Sequence, residues 1–260
     1  MRILYIGDVM GRPGRQILRD LLPGLGKKHR IDLTIANGEN LAGGLGATPQ
    51  VLEEVLDAGV DVLTFGNHVW RKKEMVRGIE EFGCLVRPAN YPEGTPGRGS
   101  ILFEKGDMKV GVVNVLGRVF MNTLECPFLA ADREINGLRH VTKHIIVDVH
   151  AEATSEKRAL GWYLDGRASA VIGSHTHIQT SDESILPQGT GYITDAGMTG
   201  SQVSVIGIKR EGAIERFLSQ MPVQFDVADE GVALCGVVVE LDNETGMTRE
   251  IFRLTNVSRV

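Results

Sequence analysis

The sequence alternates short apolar segments with amphipathic ones, and this alternation is the feature that most constrains its fold. Residues 2–7 (RILYIG), 31–36 (IDLTIA) and 61–66 (DVLTFG) are apolar runs of strand length. Residues 11–29 and 48–59 separate them and carry apolar side chains at helical spacing. Strands that alternate with crossover helices are typical of a parallel sheet. We therefore predict an α/β fold whose parallel strands are buried on both faces.

The pattern changes in the middle of the chain. A Pro/Gly-rich connection at 87–100 precedes two predicted strands that meet near Gly106 and Asp107. Residues 116–136 then mix apolar and polar side chains without a clean period. Long irregular segments in compact domains often serve binding or closure, so this one is a candidate lid or interface.

The alternation returns in the C-terminal half. We predict a strand at 145–149, a helix over 154–166 and a strand at 168–172, followed by a helix at 212–220. Two strong strand patterns then flank the turn sequence NETG at 243–246, which predicts an antiparallel hairpin. With 260 residues and neither repeat nor linker, the chain is expected to form a single domain over 1–260.

Charge and composition narrow the range of functions. The net charge of −5 disfavours long nucleic acids and anionic membranes as partners, because both select for clustered Lys and Arg. No apolar segment is long enough to cross a bilayer, and the N-terminus lacks a signal-peptide pattern. The three cysteines, Cys84, Cys126 and Cys235, show no pairing pattern and are expected to be reduced. A cytoplasmic location is the expectation.

Several polar residues recur at the ends of the predicted strands. They are Asp8, Glu39 with Asn40, Asn67 with His68, His150, and the two histidines of GSHTH, His175 and His177. Each alone has an ordinary structural explanation, such as helix capping or a turn. Strand ends of an open α/β sheet meet at one crevice, however, so together these residues predict one site. In an extended segment, His175 and His177 would point to the same side.

The donor types indicate a metal site. Carboxylate, imidazole and amide oxygen without thiolate are unlike a closed structural zinc site and suit an open site for iron, manganese or zinc. Six or seven ligands exceed one tetrahedral shell, so two metal ions sharing a carboxylate are expected. Such a pair can activate a bridging water and neutralise phosphoryl oxygens, which favours phosphoester hydrolysis.

These motifs resemble those of the calcineurin-like metallophosphoesterases. GDVMGRPGR, NGEN, GNHVW and TDAGMTG are closest to the bacterial YmdB-like branch and cover most of the chain. The resemblance implies a four-layer αββα sandwich with mixed sheets and a dinuclear centre at its rim. It also implies a small phosphoester substrate, 2′,3′-cyclic nucleotides in particular.

The resemblance carries residue roles as well. By position, Asp8 and His177 would bind one metal, and Asn67, His150 and His175 the other, with Glu39 as the bridge. Asn40 would be a further ligand or a phosphate contact. His68 would protonate the leaving oxygen, since imidazole titrates near neutral pH.

The sequence departs from the wider superfamily at three positions. Met10 stands where a ligating histidine is usual, and a thioether suits a hard cation poorly. Glu39 replaces a bridging aspartate, and Val69 replaces an acidic residue that could orient His68. We expect the metal beside Met10 to bind less tightly or to use Asn40.

Three functions remain open from the sequence. The first is a dimetal phosphodiesterase acting on small phosphoesters. The second is a broader phosphomonoesterase or a nuclease, and the acidic charge disfavours a nuclease with long substrates. The third is a regulatory protein that keeps a metal-stabilised scaffold and signals through a partner, and the intact ligand set favours catalysis over it. Self-association into a homo-oligomer is also an expectation.

Overall fold

The computed structural model describes residues 1–258, except for the side chain of residue 256. Its strands are β1 (Arg2–Ile6), β2 (Asp8–Val9), β3 (Leu33–Asn37), β4 (Val62–Thr64), β5 (Leu85–Val86), β6 (Ser100–Lys105), β7 (Met108–Leu116), β8 (His144–His150), β9 (Ala170–Ser174), β10 (Ser184–Ile185), β11 (Gly191–Ile193), β12 (Met198–Ser201), β13 (Val232–Leu241) and β14 (Thr248–Val257). Its helices are α1 (Gly11–His29), α2 (Pro49–Asp57), α3 (Lys73–Gly78), α4 (Pro127–Leu138), α5 (Thr154–Tyr163) and α6 (Arg210–Ser219), and a 3₁₀ turn spans Ile79–Glu81.

The strands form two mixed sheets. The first has the order β2-β12-β13-β1-β3-β4-β5, with β14 paired to β13, and the second has the order β10-β11-β9-β8-β7-β6. Strands β1, β3, β4 and β5 are parallel neighbours, as are β7, β8, β9 and β11. The predicted parallel strands and the final antiparallel hairpin, β13–β14, are therefore confirmed.

Three apolar clusters define four layers. One packs Leu18 and Leu52, from α1 and α2, against the first sheet. A second lies between the two sheets and includes Tyr5 and Ile146. The third packs α4 and α5 against the second sheet, for example through Leu160. The αββα sandwich expected from the family resemblance is thus confirmed.

Helix α2 lies within the predicted range 48–59 and has ordinary end signals, although the Thr48 side chain makes no capping hydrogen bond. Thr48 precedes the helix in an extended conformation and Pro49 is its first residue. Gly59, just beyond the C-cap, has a φ of 105°, a conformation that glycine adopts without a steric cost. The helix therefore begins and ends where its sequence predicts.

The short strands and one helix could not be predicted from periodicity. Strands β2, β10, β11 and β12 are two to four residues long, too short to display an alternating pattern. Within 116–136, residues from Pro127 form α4, whose Ala130 and Ile135 are buried against the second sheet. The role of 116–136 as a lid or interface stays a prediction.

The GSHTH segment differs from its expected conformation. Strand β9 ends at Ser174, and His175 and His177 follow in a bend with φ values of 96° and 65°. The expectation of an extended segment with both rings on one side is therefore wrong. Left-handed conformations are uncommon for residues other than glycine, and the contacts described below hold them here.

Two compositional expectations can be compared with the structure. Cys84, Cys126 and Cys235 form no disulfide, and Cys235 is buried while the other two are half-buried. Between residues 1 and 258, no helix combines the length and the apolar character that membrane crossing requires.

Candidate metal centre

The predicted site residues meet at one edge of the two sheets. Asp8 lies in β2, Glu39 and Asn40 follow β3, and Asn67 and His68 follow β4, all in the first sheet. His150 ends β8, and the bend after β9 carries His175 and His177, in the second sheet. Because parallel strands present their carboxyl ends at the same edge, residues far apart in sequence are neighbours here.

The Nε2 atom of His150 is the centre of the first group. It lies 3.1 Å from Glu39 Oε1, 3.2 Å from Asn67 Oδ1 and 3.1 Å from His175 Nδ1. A single N–H can satisfy only one of these neighbours, so three donor atoms converge on a point that suits a cation. Ligand atoms of Glu39, His150 and His175 all lie within 4.8 Å of one another.

Each histidine has an outer partner that accepts its other N–H. Ser174 Oγ lies 2.9 Å from His150 Nδ1 and donates its own proton to Asp148, so it accepts from the ring. Glu152 lies 3.2 Å from His175 Nε2, and the Ile206 carbonyl accepts from His177 Nδ1 at 2.8 Å. With one ring nitrogen held by such a partner, each ring turns its other nitrogen inward, the orientation that metal ligation requires.

Asp8, His177 and Asn40 form the second group. His177 Nε2 lies 3.7 Å from Asp8 Oδ1 and 3.2 Å from Asn40 Nδ2. Asp8 is fully buried, and its Oδ1 has no hydrogen-bond partner among the residues described. A buried carboxylate oxygen without a partner is costly unless a cation satisfies it. Asp8 Oδ1 and His177 Nε2 therefore offer two ligand atoms for a cation, whereas Asn40 faces this group with its amide nitrogen.

Backbone strain accompanies the orientation of His177. Ile206, whose carbonyl holds the ring, has a φ of 48°. A β-branched residue in the left-handed region costs on the order of 1–3 kcal/mol, and such strain gathers at functional sites.

The electrostatics of the cluster are those of a buried charge network. Burial raises the pKa of Asp8 to about 6. Burial would lower the pKa of His150, but the Glu39 carboxylate raises it to about 9. Burial and the neighbouring His150 lower the pKa of His175 to about 3. Burial opposes ionisation of Glu39, yet His150 and His68 hold its pKa well below the usual range.

Gly66 lies against His150 and Glu39, where a side chain would not fit. A Cβ atom at this position would lie 2.1 Å from His150 Cδ2 and 2.3 Å from Glu39 Oε2. Only glycine allows this close approach of backbone to the site.

A buried network behind His150 was not assigned a role from the sequence. Asp148 is fully buried and accepts hydrogen bonds from Ser174 (2.7 Å), Asn114 (3.1 Å) and Asn37 (3.3 Å). Asn37 belongs to the first sheet and the others to the second, so the network joins the sheets beneath the site. A lone aspartate inside the apolar run of β8 was its only sequence signal.

A second buried network holds the GSHTH bend. Thr176, between the two histidines, donates from its backbone N–H (3.1 Å) and its hydroxyl (2.7 Å) to Asp195 Oδ2. The same oxygen accepts from Lys157 Nζ at 2.7 Å, and both Lys157 and Asp195 are fully buried. This ion pair spans α5 and the segment before β12, so sequence spacing gave no sign of it.

The structure explains two of the three departures from the superfamily pattern. Met10 is 4% exposed and packs against Gly44 and Gly207. The residue that lies beside His177 is Asn40. Val69 is fully buried in the core and cannot face His68. Asn40 Oδ1 instead lies 2.9 Å from His68 Nδ1, with Glu39 Oε1 at 3.3 Å. Asn40 therefore contacts both His68 and His177.

A small cavity opens beside these residues. Its volume is about 270 Å³, and its polar side is formed by Glu39, Asn40, His68, His175 and His177. His68 is partly exposed to it, with a side-chain exposure of 19%. A cavity of this size suits a small ligand rather than a polymer.

The αββα fold and this convergent donor set define the metallophosphoesterase class. A model of the YmdB-like protein family matches residues 4–254, and the chain belongs to that family. The family and the phosphoester-hydrolase class predicted from the motifs are therefore confirmed.

Individual relatives agree with this assignment. The 2′,3′-cyclic-nucleotide 2′-phosphodiesterase of Bacillus subtilis (strain 168) is 48% identical over 254 residues, covering 98% of this chain and 96% of that protein. Crystal structures of a hypothetical protein from Thermus thermophilus (44% identity, TM-score 0.91, 98% of each chain) and of a phosphatase from Mycoplasma pneumoniae (34% identity, TM-score 0.92, 98% of this chain and 92% of that chain) are also similar.

Ser174→Ala tests the role of the outer partners. The change removes the acceptor of His150 Nδ1–H, so we expect metal affinity to fall about 10- to 100-fold, as is usual when a ligand's supporting group is lost. Titration of the metal-free protein with Mn²⁺ by calorimetry measures this. Ser155→Ala, on the exposed surface of α5, is the matched control. Equal affinities for the two variants would contradict the assignment.

Proposed function

We propose that this chain is a metal-dependent phosphodiesterase of small phosphoesters, with 2′,3′-cyclic nucleotides as its first substrate class. The observation that carries the proposal is the convergence of Glu39, Asn67 and His175 on Nε2 of His150. The substrate class is supported by the likeness to the Bacillus subtilis enzyme and by a cavity of about 270 Å³.

We further propose two metal ions per chain, iron or manganese in preference to zinc. Asn67, His150 and His175 would hold one and Asp8 and His177 the other, with Asn40 as a further ligand or a phosphate contact. Glu39 would be the carboxylate that they share, since its Oε1 lies 3.1 Å from His150 Nε2 and it lines the same cavity as Asn40 and His177. When bound, the ions supply Lewis acidity for a phosphoryl group and a nucleophile at neutral pH.

The protein's own residues account for the remaining steps. Glu39 and His150 are at most 1% exposed, so the base of the site is shielded from bulk water. His68 Nδ1 is held by Asn40 Oδ1, which leaves Nε2 as the ring nitrogen free to reach a substrate. A protonated His68 would donate from Nε2 to the departing 2′ oxygen, and Glu39 and Asn40 support the cationic ring.

Glu39→Gln is the test of the bridge. The change removes a buried negative charge that two cations would share, so we expect fewer than two metals per chain and a fall in 2′,3′-cyclic AMP hydrolysis of at least about 100-fold. Elemental analysis of metal-replete protein and a hydrolysis assay measure both. Glu53→Gln, exposed on α2, is the control. Normal turnover by Glu39→Gln, or fewer than two metals in the wild type, would contradict the dinuclear site.

His68→Ala is the test of proton donation. We expect hydrolysis of 2′,3′-cyclic AMP, which has a poor leaving group, to fall about 10²- to 10⁴-fold. Hydrolysis of bis(p-nitrophenyl) phosphate should fall much less, because p-nitrophenolate leaves without a proton. His140→Ala, at an exposed position away from the cavity, controls for loss of a histidine. Equal losses on the two substrates would argue for a binding role instead.

A phosphomonoesterase activity is the second candidate. The similar Mycoplasma pneumoniae structure is described as a phosphatase, and a cavity of this size also accommodates a monoester. Comparing kcat/KM for 2′,3′-cyclic AMP with that for 2′-AMP and 3′-AMP distinguishes the two activities. A preference for either monoester would replace the first proposal.

We also propose that the protein is cytoplasmic and that it associates with itself through an exposed apolar surface. Phe217 and Leu218 on α6 are 74% and 82% exposed, and Met221 beyond the helix is 63% exposed. Apolar patches of this kind mark contact surfaces. We expect the protein to sediment as an oligomer, and Leu218→Asp to reduce its mass. A wild-type monomer at micromolar concentration would exclude this contact.

A further inference from the structure

One side of the cavity at the metal centre is lined by apolar residues. We call this side the apolar wall; it comprises Met10, Leu45, Ile206, Phe225 and Val227. Leu45, Ile206 and Phe225 are 48%, 45% and 46% exposed. Isolated exposed apolar residues are ordinary, but three that converge on the cavity of a polar site form the usual lining of a ligand pocket.

The backbone holds this wall close to the ligands. Leu45 projects from a loop in which Gly43, Gly44 and Gly46 all have positive φ, and the Gly46 N–H donates to the Glu39 carbonyl. Ile206 accepts the hydrogen bond of His177 while its side chain lines the cavity. The position of the wall is therefore tied to the position of the candidate ligands.

Met10 forms the base of the wall. Its side chain packs against Gly44 and Gly207, which have no side chains of their own. A Cβ atom added at Gly44 would lie 2.8 Å from Met10 Cε, and one added at Gly207 would lie 2.5 Å from Met10 Cγ. The residue that replaces a usual metal ligand thus contributes apolar surface to the cavity instead.

We infer that the apolar wall binds the nucleobase of the substrate, with Phe225 as the stacking surface. This inference rests on the proposed function, because a substrate whose phosphate lies at the polar side must place its base elsewhere in the same cavity. Stacking on an aromatic ring tolerates any base, since every base has a π-face. Asp226, the charged residue of this side, is 64% exposed in its side chain and 3.8 Å from Lys209. Recognition by apolar contact therefore predicts broad base tolerance.

The decisive experiment compares substrates with and without a base. For each variant we take the ratio of kcat/KM for 2′,3′-cyclic AMP to that for glycerol 1,2-cyclic phosphate. We expect Phe225→Ala and Leu45→Ala to lower this ratio about tenfold, and Phe225→Tyr, which keeps the aromatic face, to preserve it. Trp162→Ala, at an aromatic residue of α5 that is 50% exposed and outside the cavity, is the matched control and should leave the ratio unchanged.

A binding measurement keeps the inference testable apart from catalysis. Calorimetry gives the affinity of the metal-loaded protein for 3′-AMP relative to inorganic phosphate, and Phe225→Ala should reduce this preference about tenfold. If both ratios are the same in Phe225→Ala and wild type, the nucleobase site is wrong while the phosphodiesterase proposal stands. If the wild type hydrolyses no cyclic phosphate, the phosphodiesterase proposal fails, and the preference for 3′-AMP still decides whether the wall binds a base.

Discussion

The hydrogen bonds accepted by the buried carboxylate of Asp148 underlie the rest of this structure. Its three donors come from both sheets, so the carboxylate joins the sheets at the edge where the candidate ligands meet. A buried charge is tolerated only when it is fully hydrogen-bonded, which makes the arrangement of Asn37, Asn114 and Ser174 highly specific. Through Ser174 the same network fixes the orientation of His150. The same network therefore joins the two sheets and positions the site at their edge.

The GSHTH bend shows how the fold concentrates backbone strain at a site. His175, His177 and Ile206 all have positive φ, and each has polar contacts that hold it there. Asp195 and Lys157 fix Thr176 between the two histidines, so the rings diverge, one towards His150 and the other towards Asp8. An extended strand would have placed both rings on the same side. The bend allows two neighbouring residues of one segment to serve two groups of ligands.

The departures from the superfamily pattern form a consistent set. Val69 belongs to the core, and the contact with His68 is made by Asn40 instead. Asn40 also lies beside His177, where the loss of a histidine at Met10 leaves one imidazole. Asn40 therefore contacts His68 through its amide oxygen and His177 through its amide nitrogen. Met10, which stands in place of the usual ligand, adds to the apolar surface of the cavity.

The sequence by itself determined the main strands and helices, and its resemblance to a known family implied the four layers and the candidate site residues. Hydrophobic periodicity is a local property, so the long strands, the helix ends of α2 and the final hairpin could be predicted, and polar residues at strand ends identified Asp8, Glu39 and His150. Strands of two to four residues carry too little periodicity, and α4 has no clean pattern. Only the tertiary structure decided the bend at His175, the pairing of Lys157 with Asp195, and the wall containing Phe225. These depend on contacts between segments distant in sequence, which burial and hydrogen bonding select and local spacing does not encode.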